Sequence, residues 1–155
     1  MEGLSAYKTR LAGSSDNRKA TDAIKAEFTS MGLSVSTVCY KNDTCSVIAD
    51  KIGSEKPTEV ILVMAHFDSV GKDFAGADDN ASGAASLLEM ARVLASVSLN
   101  SNLRFFVTNG EESVSMTKYG SFGEWDLYYS VGSDLLADSL VLYCGLFPFF
   151  SFRIV

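Results

Sequence analysis

The sequence is most constrained by the apolar run EVILVMAH at residues 59–66, which ends in the only histidine of the 155-residue chain. A nearly continuous apolar run of this length is typical of a strand buried on both faces of a sheet. A second such run, NLRFFVTN at 102–109, follows a segment at 82–96 in which apolar residues recur at helical spacing. Strand, helix and strand in this order predict a right-handed βαβ crossover and a largely parallel central sheet.

The flanking segments extend this pattern into one α/β domain over residues 1–155. We predict a three-layer αβα sandwich with a mixed, mostly parallel central sheet, incomplete at its C-terminal end. The remaining elements that we expect are a helix at 15–31, a hairpin of strands at 33–40 and 45–52, a short helix at 121–130 and a strand at 139–145.

The composition and net charge argue against some classes of function. A net charge of −6 argues against nucleic-acid binding, which needs a basic surface. The first residues lack the apolar core of a signal peptide, so we expect either an intracellular protein or an export segment outside this chain. The C-terminal segment 139–155 is apolar, but Pro148 and Arg153 interrupt it and argue against a membrane span.

The three cysteines, Cys39, Cys45 and Cys144, do not form an even disulfide framework. Cys39 and Cys45 flank the expected hairpin turn and could pair if the protein is exported. We nevertheless expect reduced, semi-buried thiols.

His66 stands at the end of the first buried strand, with Asp68 two positions further on. Residues two apart in a strand point to the same side, so Asp68 can hydrogen-bond one ring nitrogen while the other nitrogen faces a metal. A lone histidine is more often an ordinary hydrogen-bonded residue, and this pair alone is weak evidence for a site.

Two further acidic motifs follow the buried strands. The loop GADDNASG at 76–83 precedes the second helix. One of its polar residues is enough to cap that helix, so capping does not explain the two adjacent carboxylates. Asn109-Gly110-Glu111-Glu112 directly follows the second strand, where one carboxylate could bind a metal and its neighbour could accept a proton. All of these ligands suit zinc, although an exposed polar surface would explain each motif taken singly.

Together the motifs resemble the two-zinc aminopeptidases, a family that includes bacterial leucyl aminopeptidases and aminopeptidase Y. The resemblance covers about residues 8–112 and rests on AHFDS (65–69), GADDNASG (76–83), LLEMAR (87–92) and NGEE (109–112), with RLAGSSDNRKATDAIKAEFTSMGLSV (10–35) preceding them.

The resemblance implies a set of metal ligands. His66 would bind one zinc, Asp79 would bridge both zincs and Glu112 would bind the second. It also implies a cis peptide bond between Asp79 and Asn80.

The resemblance further implies two catalytic residues and a substrate class. Asp68 would orient His66, and Glu111 would be the general base that activates a metal-bound water against the amino-terminal bond of a peptide.

The chain departs from the family pattern after Glu112. The family has a further acid at the end of the next strand and a late histidine, whereas this chain has LYCG at 142–145 and only His66. We therefore expect an amino-terminal portion of the catalytic domain that binds one zinc ion, or binds zinc weakly, and has little hydrolytic activity of its own. Two alternatives stay open: a non-catalytic interaction protein on the same fold, and a glutaminyl-cyclase-like transferase.

Overall fold

The computed structural model describes residues 3–39, 43–112 and 139–143. Its elements, in chain order, are a 3-10 turn (Leu4–Ala6), α1 (Ser15–Ser30), β1 (Ser34–Cys39), β2 (Cys45–Lys51), β3 (Lys56–His66), a π-helical turn (Ala77–Ala81), α2 (Ser82–Leu94), β4 (Ser101–Thr108) and β5 (Ser139–Tyr143). Each element predicted within these ranges is present, and β3 begins at Lys56 rather than Glu59. The helix predicted at 121–130 lies outside the described residues.

The five strands form one mixed sheet in the order β1-β2-β4-β3-β5. The pairs β1–β2 and β2–β4 are antiparallel, whereas β3 is parallel to both of its neighbours, β4 and β5. The α/β class and the mixed sheet are therefore confirmed. Because β3 and β4 are parallel, with His66 in register with Thr108, their carboxyl ends meet at one edge of the sheet.

Both helices pack on the same face of the sheet and contact each other. Ile24 and Phe28 of α1 and Leu87 of α2 are almost completely buried against this face. The ring of Phe28 stacks on Phe105 of β4, with 6.1 Å between the ring centroids. Burying each of these side chains contributes about 1.5–3 kcal/mol, so this apolar layer fixes where the sheet edge lies relative to α1.

The opposite face of the sheet carries a second, smaller apolar cluster. It consists of four buried side chains from the three inner strands: Ile48, Leu62, Met64 and Phe106. Burial on both faces explains why the β3 and β4 sequences are almost continuously apolar.

Helix α1 begins after Ser14, whose hydroxyl accepts a hydrogen bond from the backbone N–H of Asn17 at 3.1 Å. A serine at this position satisfies one of the N–H groups that the first turn leaves without a helical partner. The helix ends before Gly32, which has a φ of +77°, a conformation that glycine adopts without steric cost.

The expectation of reduced thiols is wrong for Cys39 and Cys45, which form a disulfide. The two residues are directly opposite one another in the antiparallel β1–β2 register, with their Cα atoms 4.0 Å apart. The sequence shows that both flank a turn, but only the register shows that their side chains face each other. Cys144 lies outside the described ranges.

Within residues 3–39, 43–112 and 139–143, no helix is both long and apolar enough to cross a membrane. The apolar tail at 146–155 falls outside those ranges, as does the end of the last predicted strand beyond Tyr143.

Candidate metal centre

His66 is the last residue of β3 and is 3% exposed. Its Nε2 atom lies 3.1 Å from Oδ1 of Asp79 and 4.0 Å from Oε2 of Glu111. The ring therefore points across the sheet edge toward carboxylates from two other segments. Burial alone would lower the pKa of His66, but its contacts with Asp68, Glu111 and Asp79 outweigh burial and raise the pKa.

Asp68 is fully buried and contacts two parts of the site. Its Oδ1 lies 3.5 Å from Nδ1 of His66, an ion-pair distance without hydrogen-bond alignment. The same carboxylate accepts hydrogen bonds from the backbone N–H groups of Glu111, at 3.2 Å, and Glu112, at 2.9 Å. Asp68 thus links the end of β3 to the loop after β4, a contact that the sequence did not predict.

The loop before α2 turns sharply around Asp79. The peptide bond between Asp79 and Asn80 is cis, as the family resemblance implied. Asn80 caps α2, because its Oδ1 accepts a hydrogen bond from the N–H of Gly83 at 3.0 Å. Capping therefore accounts for Asn80, while the Asp79 side chain is about half exposed and faces His66.

Gly76 permits this loop because its φ is +54° and its surroundings leave no room for a side chain. A Cβ atom built on Gly76 would lie 2.4 Å from the carbonyl oxygen of Asp79 and 2.7 Å from Cβ of Ser69. The close approach of two backbone segments at this point brings Asp79 next to the end of β3.

Glu111 and Glu112 are partly buried in the loop that follows β4. Burial, a side-chain hydrogen bond with Asp79 and the nearby charge of Glu111 together raise the pKa of Glu112 to about 7. The neutral form of Glu112 is thus favoured by its surroundings, and a neighbouring cation would favour the ionised form instead.

The donor set fits a divalent cation. One donor atom from each of His66, Glu111 and Glu112 can be chosen so that all three lie within 4.8 Å of one another. The 3.1 Å distance from His66 to Asp79 is close to the edge of a zinc tetrahedron, roughly 3.3 Å for ordinary zinc–ligand bonds. Imidazole and carboxylate groups are common zinc ligands, and a cation would favour the ionised form of Glu112, whose pKa burial and neighbouring carboxylates raise.

The structure therefore brings together all five residues singled out from the sequence: His66, Asp68, Asp79, Glu111 and Glu112. The sequence motifs include four further polar residues whose supporting contacts beneath the site were not predicted: Arg10, Asn17, Ser69 and Asn109. A polar residue in a loop or a first helical turn gives no signal of burial, so only the fold identifies them.

The sequence profile of Peptidase family M28 matches residues 46–139, more than half of the chain. The chain belongs to this family. Aminopeptidase YwaD of Bacillus subtilis (strain 168) is 44% identical over 66 residues, which is 39% of this chain and 14% of that protein. A protein of Pyrenophora tritici-repentis named "Probable zinc metalloprotease" is 38% identical over 74 residues, 43% of this chain and 15% of its own length. The M28 chain thus spans only a small part of these relatives.

Solved structures share the M28 fold. LapB from Legionella pneumophila superposes with a TM-score of 0.74 at 27% identity, over 92% of this chain and 40% of its own. Porphyromonas gingivalis glutaminyl cyclase superposes with a TM-score of 0.67 at 22% identity, over 90% of this chain and 56% of its own. At this low identity, the likeness to the glutaminyl cyclase shows only that the two proteins share a fold.

Proposed function

We propose that this M28 chain is part of a zinc-dependent exopeptidase that removes residues from the amino termini of peptides. The observation that carries the proposal is the convergence of His66, Asp79, Glu111 and Glu112 from three segments at one sheet edge. The names of the matched relatives, an aminopeptidase and a zinc metalloprotease, point the same way.

The geometry supports a division of the ligands between two cation positions. His66 and Asp79, 3.1 Å apart, would hold one ion. Asp79 also contacts Glu112 through a side-chain hydrogen bond, so these two carboxylates would hold the second. Asp79 lies next to both His66 and Glu112, and this position suits it to a bridging role.

Bound zinc supplies Lewis acidity, which polarises a peptide carbonyl and makes water more acidic. Glu111 is the residue best placed to move the proton. Its side chain is one-quarter exposed, and its Oε2 lies 4.0 Å from Nε2 of His66, so it borders the ligands while facing solvent. Glu111 would accept a proton from water at this carboxylate and donate it to the departing amine.

Asp68 would act through its neighbours rather than on the substrate. Its carboxylate lies 3.5 Å from the His66 ring and accepts hydrogen bonds from the backbone N–H groups of Glu111 and Glu112. A buried carboxylate in this position both increases the basicity of the imidazole and sets the distance between the two ligand-bearing strand ends.

The proposal is tested by calorimetric titration of the chelator-treated chain with Zn²⁺. We expect binding by the wild type and an affinity lower by about tenfold or more in Glu112→Gln. Glu89→Gln is the matched control, because Glu89 is exposed and pairs with Arg92 on α2; this variant should bind like the wild type. Equal affinity in both variants would rule out Glu112 as a ligand.

Hydrolysis of a leucine anilide is the second measurement. We expect little turnover by this chain, and any turnover should disappear with chelator and in Glu111→Gln. Failure to bind zinc, together with capture of a defined protein partner, would favour a non-catalytic interaction protein. Cyclisation of an amino-terminal glutamine, without anilide hydrolysis, would favour the transferase alternative.

A further inference from the structure

We propose that Arg10 is a positioning residue of the metal centre, which holds the end of β3 and the loop before α2 at a fixed separation. The proposal rests on the zinc function proposed above. Arg10 lies in the segment before α1, more than fifty residues before His66 in the sequence, and it is not among the residues expected to bind metal.

The Arg10 side chain is completely buried and is bound by backbone carbonyl oxygens. Its Nε donates to Phe67 at 2.6 Å, and its Nη2 donates to Gly76 at 2.8 Å. Its Nη1 donates to Leu4 at 2.8 Å and also to Ala75. Each acceptor has a fixed position in the backbone, so the guanidinium cannot shift without breaking several charge-assisted hydrogen bonds.

The positions of these acceptors connect Arg10 to the ligands. Phe67 stands between His66 and Asp68, whereas Gly76 is at the turn that leads to Asp79. The guanidinium therefore joins the two ends of the loop at 67–76. The separation of those ends sets the distance from His66 to Asp79.

The backbone of Arg10 strengthens the same connection. Its N–H donates to Oγ of Ser69 at 2.8 Å, and Ser69 Oγ in turn donates to the carbonyl of Phe74 at 2.8 Å. The carbonyl of Arg10 accepts from Nδ2 of Asn17 at 2.8 Å, which ties the residue to α1. Arg10 thus forms hydrogen bonds both with the loop at 67–76 and with helix α1.

The charge of Arg10 also bears on the site. Burying a guanidinium is costly, and within the described part of the chain Arg10 forms no ion pair within 4.0 Å of a carboxylate that would offset the cost. Burial lowers the pKa of Arg10, while the nearby charge of Asp68 opposes that change. This interaction with Asp68 also connects the Arg10 guanidinium to the end of β3 electrostatically.

The decisive comparison is Arg10→Lys with Arg92→Lys. Lysine keeps the charge but lacks the planar fork that reaches several carbonyls at once. Arg92 is exposed and pairs with Glu89 on the surface of α2, so it provides a matched substitution away from the site. Hydrogen exchange of the metal-free protein over residues 67–79 and zinc affinity by chelator competition are measured for both variants.

In Arg10→Lys we expect exchange over 67–79 to be faster by about tenfold or more, and zinc affinity to fall by about tenfold or more, in a protein that still unfolds cooperatively. Arg92→Lys should stay within about twofold of the wild type in both measurements. The absorption spectrum of the cobalt-loaded protein should change only in Arg10→Lys, because it reports ligand geometry. A folded Arg10→Lys with wild-type exchange, affinity and spectrum would overturn the proposal.

If Arg10→Lys does not fold, Arg10→Gln takes its place, since the neutral amide can still donate to one of the buried carbonyls but carries no charge that must be buried. Wild-type exchange and affinity in Arg10→Gln would then overturn the proposal. If the wild type itself binds no zinc, the proposed function fails. The exchange comparison would then decide alone whether Arg10 holds the loop.

Discussion

The side-chain amides of Asn17 and Asn109 exchange two hydrogen bonds of 3.0 Å between helix α1 and the end of β4. Both residues are completely buried. Asn109 also donates to the carbonyl of Cys45, and its own N–H donates to the hydroxyl of Ser46. The chain is therefore anchored to two other segments just before it reaches Glu111.

Replacing Asn109 with alanine should destabilise the protein strongly. The change removes several buried hydrogen bonds and leaves the amide of Asn17 partly unsatisfied, which we expect to lower the free energy of unfolding by about 2–4 kcal/mol. Urea denaturation measures this loss. The exposed Asn100→Ala is the control and should change the free energy by less than about 0.5 kcal/mol. Equal losses in the two variants would contradict the anchoring role.

Asp68→Asn should weaken metal binding more than it weakens the fold. The amide is nearly the same size as the carboxylate, but it carries no charge. It also has only one acceptor oxygen, whereas the two oxygens of Asp68 accept hydrogen bonds from two N–H groups and one of them also faces His66. We expect zinc affinity to fall by about 10–100-fold, the usual cost of losing a residue that orients a ligand. Chelator competition provides the measurement. The exposed Asp73→Asn, in the same loop region, should retain wild-type affinity.

The metal-free protein should lose stability as the pH rises from about 5 to about 8. Because the pKa of Glu112 is about 7 in the folded state and 4.5 ordinarily, the folded state holds a proton in this range that the unfolded state has lost. Rising pH therefore favours unfolding, and the raised pKa of His66 acts in the same direction. Melting temperatures in chelator and in zinc test this, since a cation replaces the proton and should reverse the trend.

Glu112→Gln isolates the contribution of this carboxyl, because it removes the titrating group and should flatten the pH dependence of the metal-free protein. Glu89→Gln should leave the slope as it is in the wild type. A wild-type melting temperature that rises with pH in chelator, to the same extent as in Glu112→Gln, would show that Glu112 does not take up a proton on folding.

Comparison of Gly76→Ala with Gly71→Ala distinguishes the cost of a steric clash at the new Cβ from the cost of a positive φ. Both glycines have positive φ, +54° and +71°, so each substitution costs about 1–2 kcal/mol of backbone strain. Only at Gly76 would the new Cβ meet neighbouring atoms at under 3 Å, whereas nothing lies within 4 Å at Gly71. We expect Gly76→Ala to lose more stability in urea and to bind zinc more weakly. Comparable behaviour of the two variants would contradict this packing.

Much of the fold could be predicted because hydrophobic periodicity reports burial directly. The run ending at His66 and the run ending at Thr108 carry enough apolar residues to identify two inner strands, and the parallel crossover follows from their order. The site residues come at the ends of these strands, where the sequence of an α/β protein concentrates its functional groups.

The parts that were missed depend on contacts between distant segments. The Cys39–Cys45 disulfide requires a hairpin register that sequence alone does not fix. The burial of Arg10 depends on hydrogen bonds to Phe67 and Gly76, which lie 57 and 66 residues further along the chain. The Asn17–Asn109 pair joins residues 92 positions apart, which no local pattern can relate.

The strand order has a consequence for the position of the two glutamates that follow β4. Strands β2 and β3 follow one another along the chain but are not neighbours in the sheet, because β4 lies between them. Residues 101–108 therefore supply the only strand that joins β2 to β3 within the described part of the sheet. Glu111 and Glu112 follow this strand directly, so a shift of β4 against either neighbour would also displace both carboxylates from His66.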